Sequence, residues 1–146
     1  MTYPKLIIAA IVAAVFVHFS RQSIAAEIAA PAAEFADAQT LLDKWLKALG
    51  TSDLASYQQC LHSAARQVPE YGSAEALQFW KGEIGDMGKK GFKGQWKFQK
   101  PANVSKRFPA GSLQAIPVIN GKALRESDSI LLIQEDGQWR IVRLFS

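Results

Sequence analysis

The C-terminal stretch of residues 124–145 constrains the fold more than any other part of this chain. Two apolar, β-favouring runs, Ile130-Leu131-Leu132-Ile133 and Trp139-Arg140-Ile141-Val142, flank Asp136-Gly137. An Asp-Gly pair tolerates positive φ angles, so this pattern predicts a tight β-hairpin. A two-residue turn fixes the register: Leu132 faces Ile141, Ile130 faces Arg143 and Asp128 faces Phe145, with Trp139 on the same face. Leu131 and Val142, and Ser129 and Leu144, meet on the other. Both faces are therefore partly apolar. One is expected to cover helices; the other calls for a second cover, such as a homodimer formed through the sheet.

A period of two also precedes this hairpin. After Gly91, Trp96 and Phe98 alternate with Lys93, Gln95, Lys97 and Gln99, which reads as a half-buried strand. Pro101 ends it. A second strand is expected over 104–108, a turn at Pro109-Ala110-Gly111, and a third strand over Leu113–Ile119, with Pro117 demanding an edge or a bulge. Asn120-Gly121 is another tight-turn pair, leading into strands over 124–133 and 139–145.

Before Gly91 the period is helical. Phe35, Ala38, Leu42, Trp45 and Leu49 recur at three and four, with Leu41 and Leu46 widening the stripe and Gly50 as the stop. Thr51-Ser52-Asp53 supplies capping oxygens for a second helix with Leu54, Tyr57, Leu61 and Ala64 on one face, ending near Gln67. Residues 69–73 read as a loop. A third helix from Ser73 or Ala74 carries Leu77, Trp80, Ile84 and Met87, closed by Gly91. Helices followed by an antiparallel sheet make an α+β fold.

The first residues read differently. Residues 1–5 are short and basic, and residues 6–19 are apolar apart from His18. That run is short for a membrane span, which needs about 20 residues. It fits the central region of a signal peptide, with Ser23 and Ala25 as the small residues before a cut. The alternative is an uncleaved anchor helix continuing through 25–33. The expected organisation is thus a signal peptide or anchor over 1–25, a flexible lead-in over 26–33 and one domain over 34–146. Its expected location is periplasmic or secreted, or inner-membrane anchored and facing the periplasm. The formal charge of +4 loses two cations, Lys5 and Arg21, with residues 1–25. A remainder that mild predicts no polyanion partner. Cys60 is alone, which excludes an intrachain disulfide, and no Cys/His spacing suggests zinc or any other cofactor.

Two stretches carry a family resemblance. Leu41-Leu42-Asp43-Lys44-Trp45-Leu46-Lys47-Ala48-Leu49-Gly50-Thr51-Ser52-Asp53, followed by Tyr57, resembles the opening helix, short turn, Asp and second helix of the nuclear transport factor 2-like superfamily. Residues 131–142 are similar to its closing hairpin. The resemblance, spanning about residues 34–145, implies a cone-shaped, cystatin-like roll with a highly curved sheet, a pocket between helices and sheet, and in many members a dimer through the sheet. It implies no catalytic residue, because both motifs encode a turn and a core aromatic.

Three groups could carry function. In the expected register Asp128 and Arg143 are diagonal neighbours on an apolar face, a pair able to orient a polar or anionic ligand or simply an ion pair at the rim. Residues 89–107 hold seven Lys or Arg and no acid, interleaved with Phe92, Trp96 and Phe98. The alternation puts Trp96 and Phe98 opposite Lys93 and Lys97, so a solvated outer face is favoured over nucleic acid or anionic lipid. His62 is the one histidine after residue 25, and no Ser/His/Asp pattern surrounds it in sequence. The expected function is a non-catalytic exported domain binding a small ligand or protein partner, with Tyr57, Trp80, Trp96, Asp128, Trp139 and Arg143 as ligand-binding candidates. Two alternatives stand beside it: an isomerase, dehydratase or hydrolase using Asp128 or His62, and an accessory subunit anchored in a membrane complex.

Overall fold

The structure, a computed structural model, describes residues 33–145; the expected export segment and almost all of the lead-in lie outside them. The stripe read from the first helical stretch is the face that packs. Helix α1 (Ala36–Thr51) follows a one-turn 3-10 helix (Ala33–Phe35) and buries Ala38, Leu41, Leu42, Trp45, Ala48 and Leu49. It runs through Gly50, the expected stop. Ser52 ends it instead, in the left-handed conformation (φ 53°), with its N–H on Leu49 O and the Asp53 N–H on Ala48 O.

The second expected helix is broken. Helix α2 (Leu54–Gln59) is capped by Asp53, whose carboxylate accepts from Ser56 N at 3.1 Å and Ser56 Oγ at 2.7 Å. The chain then leaves the helix for three residues before α3 (Ser63–Arg66). In that gap Ile141 N–H donates to Cys60 O at 2.8 Å and His62 N–H donates to Ile141 O at 2.7 Å. Those bonds satisfy backbone groups on the free edge of the last strand. Periodicity hides the break, because Tyr57, Cys60, Leu61 and Ala65 are buried either way. Where a loop was expected, Pro69 starts a short helix, α4 (Pro69–Gly72). Helix α5 (Ala74–Lys89) begins as expected, with Ser73 Oγ accepting from Ala76 N at 3.0 Å.

The sheet comprises β1 (Phe92–Gln99), β2 (Leu113–Ile119), β3 (Lys122–Ala123), β4 (Ile130–Glu135) and β5 (Gln138–Arg143). Neighbours are antiparallel in the order β1-β2-β4-β5, with β3 beside β2. Pro117 survives inside β2 because β4 pairs only with residues 113–115 and β3 only with 118 and 119. It falls where that edge changes partner, and opposite Trp96 next to the irregularity of β1. Leu113, Ala115, Ile130, Leu132, Ile141 and Leu144 join the side chains of α1, α2 and α5 in one core. The fold is α+β, helices packed against an antiparallel sheet. On the other face Ile116, Val118 and Leu131 are each 2% exposed in the single chain.

The hairpin forms, but its register holds only near the turn. Asp136 (φ 54°) and Gly137 (φ 77°) make the tight turn. Pairing follows expectation from Glu135↔Gln138 to Leu132↔Ile141, and then a bulge puts Arg143 opposite Leu131. Ile130 therefore does not face Arg143. The expected strand over 124–133 is shortened as well: residues Glu126–Asp128 form a 3-10 turn, so Asp128 has no place in the ribbon. The expected strand over 104–108 is absent. Ser105 N–H donates to Phe108 O at 2.9 Å and Phe108 N–H donates to Ser105 Oγ at 3.1 Å, closing a turn with Lys106 and Arg107 at its tip.

Candidate functional site

That turn builds one wall of a recess at the rim of the core. A second turn follows it, with the Ser112 N–H and hydroxyl both donating to Pro109 O (3.1 and 2.7 Å). Gly111 permits this turn at φ 79°. Held between two closed turns and next to Pro109, Phe108 is presented rather than left to swing. Facing it are Phe35 from the turn before α1, Leu113 from β2 and Trp139 from β5, with Pro101 and Val104 completing the mouth. Phe35 is itself braced by Phe98, ring centroids 5.6 Å apart. The space enclosed is about 250 Å³, with Glu34 and Lys100 as the charged groups lining it.

Two guanidinium groups stand over the same Phe108 ring. The Arg143 guanidinium carbon is 5.3 Å from the ring centroid and that of Arg107 is 5.6 Å away. Burial, and then the neighbouring Arg107 charge, hold the Arg143 guanidinium below the usual arginine value. The bulge in β5 is what brings Arg143 here. Its expected partner has gone elsewhere: the Asp128 carboxylate pairs with Arg125 Nε at 3.3 Å, a local and exposed contact. The Asp128–Arg143 pair expected from the sequence does not form.

The remaining candidates do not converge. Tyr57 is wholly buried, its hydroxyl donating to Tyr71 O, and burial raises its pKa far above the phenol range. It is a core residue lining none of the described hollows. Trp96 is also core, 3% exposed and edge-on to Phe92 at 5.1 Å, so it is not available to stack on a base. The indole N–H groups of Trp96 and Trp45 are buried without an acceptor among the described residues. Trp80 lies on a separate surface groove between Phe79 (57% exposed) and Phe145, donating to Glu70 O at 3.3 Å. Of the six, Trp139 alone lines the recess, and Arg143 adjoins it through Phe108. Sequence reasoning missed Phe35, Val104, Arg107 and Phe108. A signal existed for the last two: an aromatic beside two cations, bracketed by Pro101 and Pro109, is a poor strand and a good turn.

His62 has company that its sequence neighbourhood does not reveal. Its Nε2 is 3.3 Å from Glu135 Oε2, and the Ser63 hydroxyl donates to that same oxygen. Its Nδ1 accepts from Ala64 N at 3.1 Å, capping α3. The carboxylate lies between serine and histidine, and the serine proton points at the carboxylate. A nucleophilic serine needs the imidazole as its acceptor, with the acid behind it. This cluster ties α3 to the hairpin and activates nothing. Cys60 is equally inert: burial pushes its thiol up to about 11. Among the described residues no group of three or more His, Cys, Asp or Glu could hold a metal ion, and no helix is long and apolar enough to cross a membrane.

No protein-family model, curated protein or solved structure gives a significant match to this chain.

Proposed function

We propose that the chain is an exported, non-catalytic module that binds a small ligand in the recess between the α1 end of the helical layer and the sheet. The recess itself carries this reading: Phe35, Phe108, Leu113 and Trp139 line a hollow of about 250 Å³ at the rim of the core. Phe108, on one wall of it, is held between hydrogen-bonded turns, as suits a preformed apolar site. The apolar run over 6–19 supports export, to the periplasm or beyond. The helix-then-sheet order supports a cone of the nuclear transport factor 2-like kind. Ser63, His62 and Glu135 stand in the wrong order for nucleophilic catalysis, which favours a binding role over the enzyme reading.

A second reading, docking of a protein partner, has its own observation. Phe79 and Trp80 line a surface groove between α4 and α5, apart from the recess, with Phe79 57% exposed and Phe145 packed against Trp80. An anchored accessory subunit would use such a face, while a sheet-mediated homodimer would use the other layer.

Native mass spectrometry of the protein purified from its own cellular fraction separates these. A ligand-binding module gives a cleaved chain carrying a small extra mass, lost in Val104→Trp, which plugs the recess from its mouth. The same extra mass on wild type and on Val104→Trp, or none on wild type, would refute ligand capture there. An uncleaved N-terminus in the membrane fraction would favour the anchored subunit.

A further inference from the structure

We infer that the polar cleft on the other side of Trp139 is a carbohydrate site, taking a neutral sugar whose C–H surface lies on Leu41 and Trp139 and whose hydroxyls meet the polar side chains around them. This goes beyond ligand capture in the recess, whose lining shares Trp139 alone with that of the cleft.

The pattern of burial is the first observation. Leu41, on the packed stripe of α1, is 7% exposed and Trp139 is half-buried, so the deeper surface of the cleft is apolar. Around it stand exposed polar side chains from two elements: Asp37, Thr40 and Lys44 follow one another at three and four residues along α1, and Gln134 and Gln138 come from the β4–β5 hairpin. The cleft measures about 450 Å³, inside the range of about 300–1,000 Å³ usual for small-molecule sites. A sugar ring divides in the same way, with C–H groups on its faces and hydroxyls at its edge. Aromatic faces are electron-rich and attract the weakly positive hydrogens of such C–H groups.

The hydrogen-bonding inventory is the second. Every hydroxyl both donates and accepts, so a polyol needs donors and acceptors interspersed. Thr40 Oγ1 donates to Ala36 O at 3.1 Å and keeps its lone pairs; Lys44 Nζ donates to Gln59 Oε1 at 3.1 Å and keeps its remaining N–H groups. Gln138 Oε1 accepts from Arg140 Nη2 at 2.6 Å, which leaves the Gln138 amide N–H groups for a ligand. Among the described residues nothing ties up the Asp37 carboxylate or the Gln134 amide. The charges decide against an anion. Asp37 opposes one, and the cations are not aimed at a common point: Arg140 folds back on Trp139 O at 3.0 Å and on Gln138, while Lys44 reaches Gln59. A zwitterionic amino acid would use Asp37 and Lys44 but leave both glutamines and the apolar surface idle.

The test is a proton–nitrogen NMR titration of the folded protein, read at the Trp139 indole Nε1–H, which Trp139→Phe identifies by its loss. Cellobiose is expected to move that resonance saturably, with a Kd on the order of 1 mM or tighter. Sorbitol, which carries similar hydroxyls on a flexible chain with no ring face and costs more to order, is expected to leave it in place. Asp37→Ala and Gln134→Ala remove exposed side chains outside the core, and each is expected to weaken cellobiose about threefold to tenfold, the worth of a lost hydrogen bond. Val104→Trp, which plugs the recess, is expected to leave cellobiose affinity unchanged. No shift with cellobiose, an equal shift with sorbitol, or full affinity in either alanine variant overturns the sugar assignment. A response to the zwitterion alanine in place of cellobiose would make the cleft an amino-acid site and overturn it as well. Loss of cellobiose in Val104→Trp would move the ligand into the recess, overturning this site and leaving the recess reading intact.

Discussion

Trp45 and Trp139 both lie on the helix side of the sheet, and their surroundings differ. Trp45, in the middle of α1, is fully buried among Leu42, Leu49 and the strand side chains of the core. Trp139, at the start of β5, is half-buried and borders two hollows: the recess by Phe108 and a polar cleft on its other side with Asp37, Lys44 and Gln138. Trp45 is enclosed on every side, whereas the turn before α1 leaves a recess beside Trp139. What closes that end is a loop of turns rather than another helix, and loops approach a sheet less densely than amphipathic faces do.

Substitutions can break or sharpen this contrast. The largest effect is expected at the packed end: Trp45→Ala should cost about 3–5 kcal/mol, the usual range for deleting a buried aromatic, read as a drop in the urea midpoint at constant slope. A loss below 1 kcal/mol there would mean that the core is not filled as described. Ser73→Ala, which removes the cap of α5 at Ala76 N, should cost about 1 kcal/mol by the same measurement. At the rim Arg143→Leu should change stability by no more than about 0.5 kcal/mol in either direction, because the like-charge contact it removes offsets the lost contact with the Phe108 ring. A large destabilisation there would make Arg143 a structural residue and erase the distinction.

The smallest lever is pH. The Ser63 hydroxyl, then the His62 and Arg66 charges, outweigh partial desolvation and hold the Glu135 carboxyl below its ordinary 4.5. A depressed folded-state pKa contributes stability that is present above the unfolded value and lost as pH falls through the folded one. Wild type should therefore lose thermal stability more steeply than Glu135→Gln between about pH 5 and pH 3. Parallel slopes would show that the α3–hairpin tie contributes nothing.

The elements were legible where one local rule governs them. The α1 stripe, the start of α5 at Ser73 or Ala74, and the turns at Asn120-Gly121 and Asp136-Gly137 follow from periodicity and backbone preference, and each forms. What escaped depends on contacts between distant residues. The break at Cys60–His62 exists because Ile141 offers an edge to bond, which no helical pattern in 54–67 announces. The bulge near Val142 moves Arg143 from a register partner of Ile130 to Leu131, and with it the whole polar side of the site. Turn chemistry fixes only the first few rungs of a ribbon, and the far end is set by what it packs against. Trp139 and Arg143 were foreseeable as polar or aromatic groups near one another. Phe108 and Arg107 were not, since a period-two reading of 104–108 overrode the turn signals around it.

The stacking of Arg143 on Phe108 is the point on which the site stands, and its Nε–Hε resonance in a proton–nitrogen NMR spectrum reports it directly. The expected signal is shifted upfield by the ring, returns to an ordinary position in Phe108→Leu, and ignores Asp128→Asn. A resonance that responds to Asp128→Asn and is untouched by Phe108→Leu would contradict the account, restoring the unbulged register and taking Arg143 away from the wall of the recess.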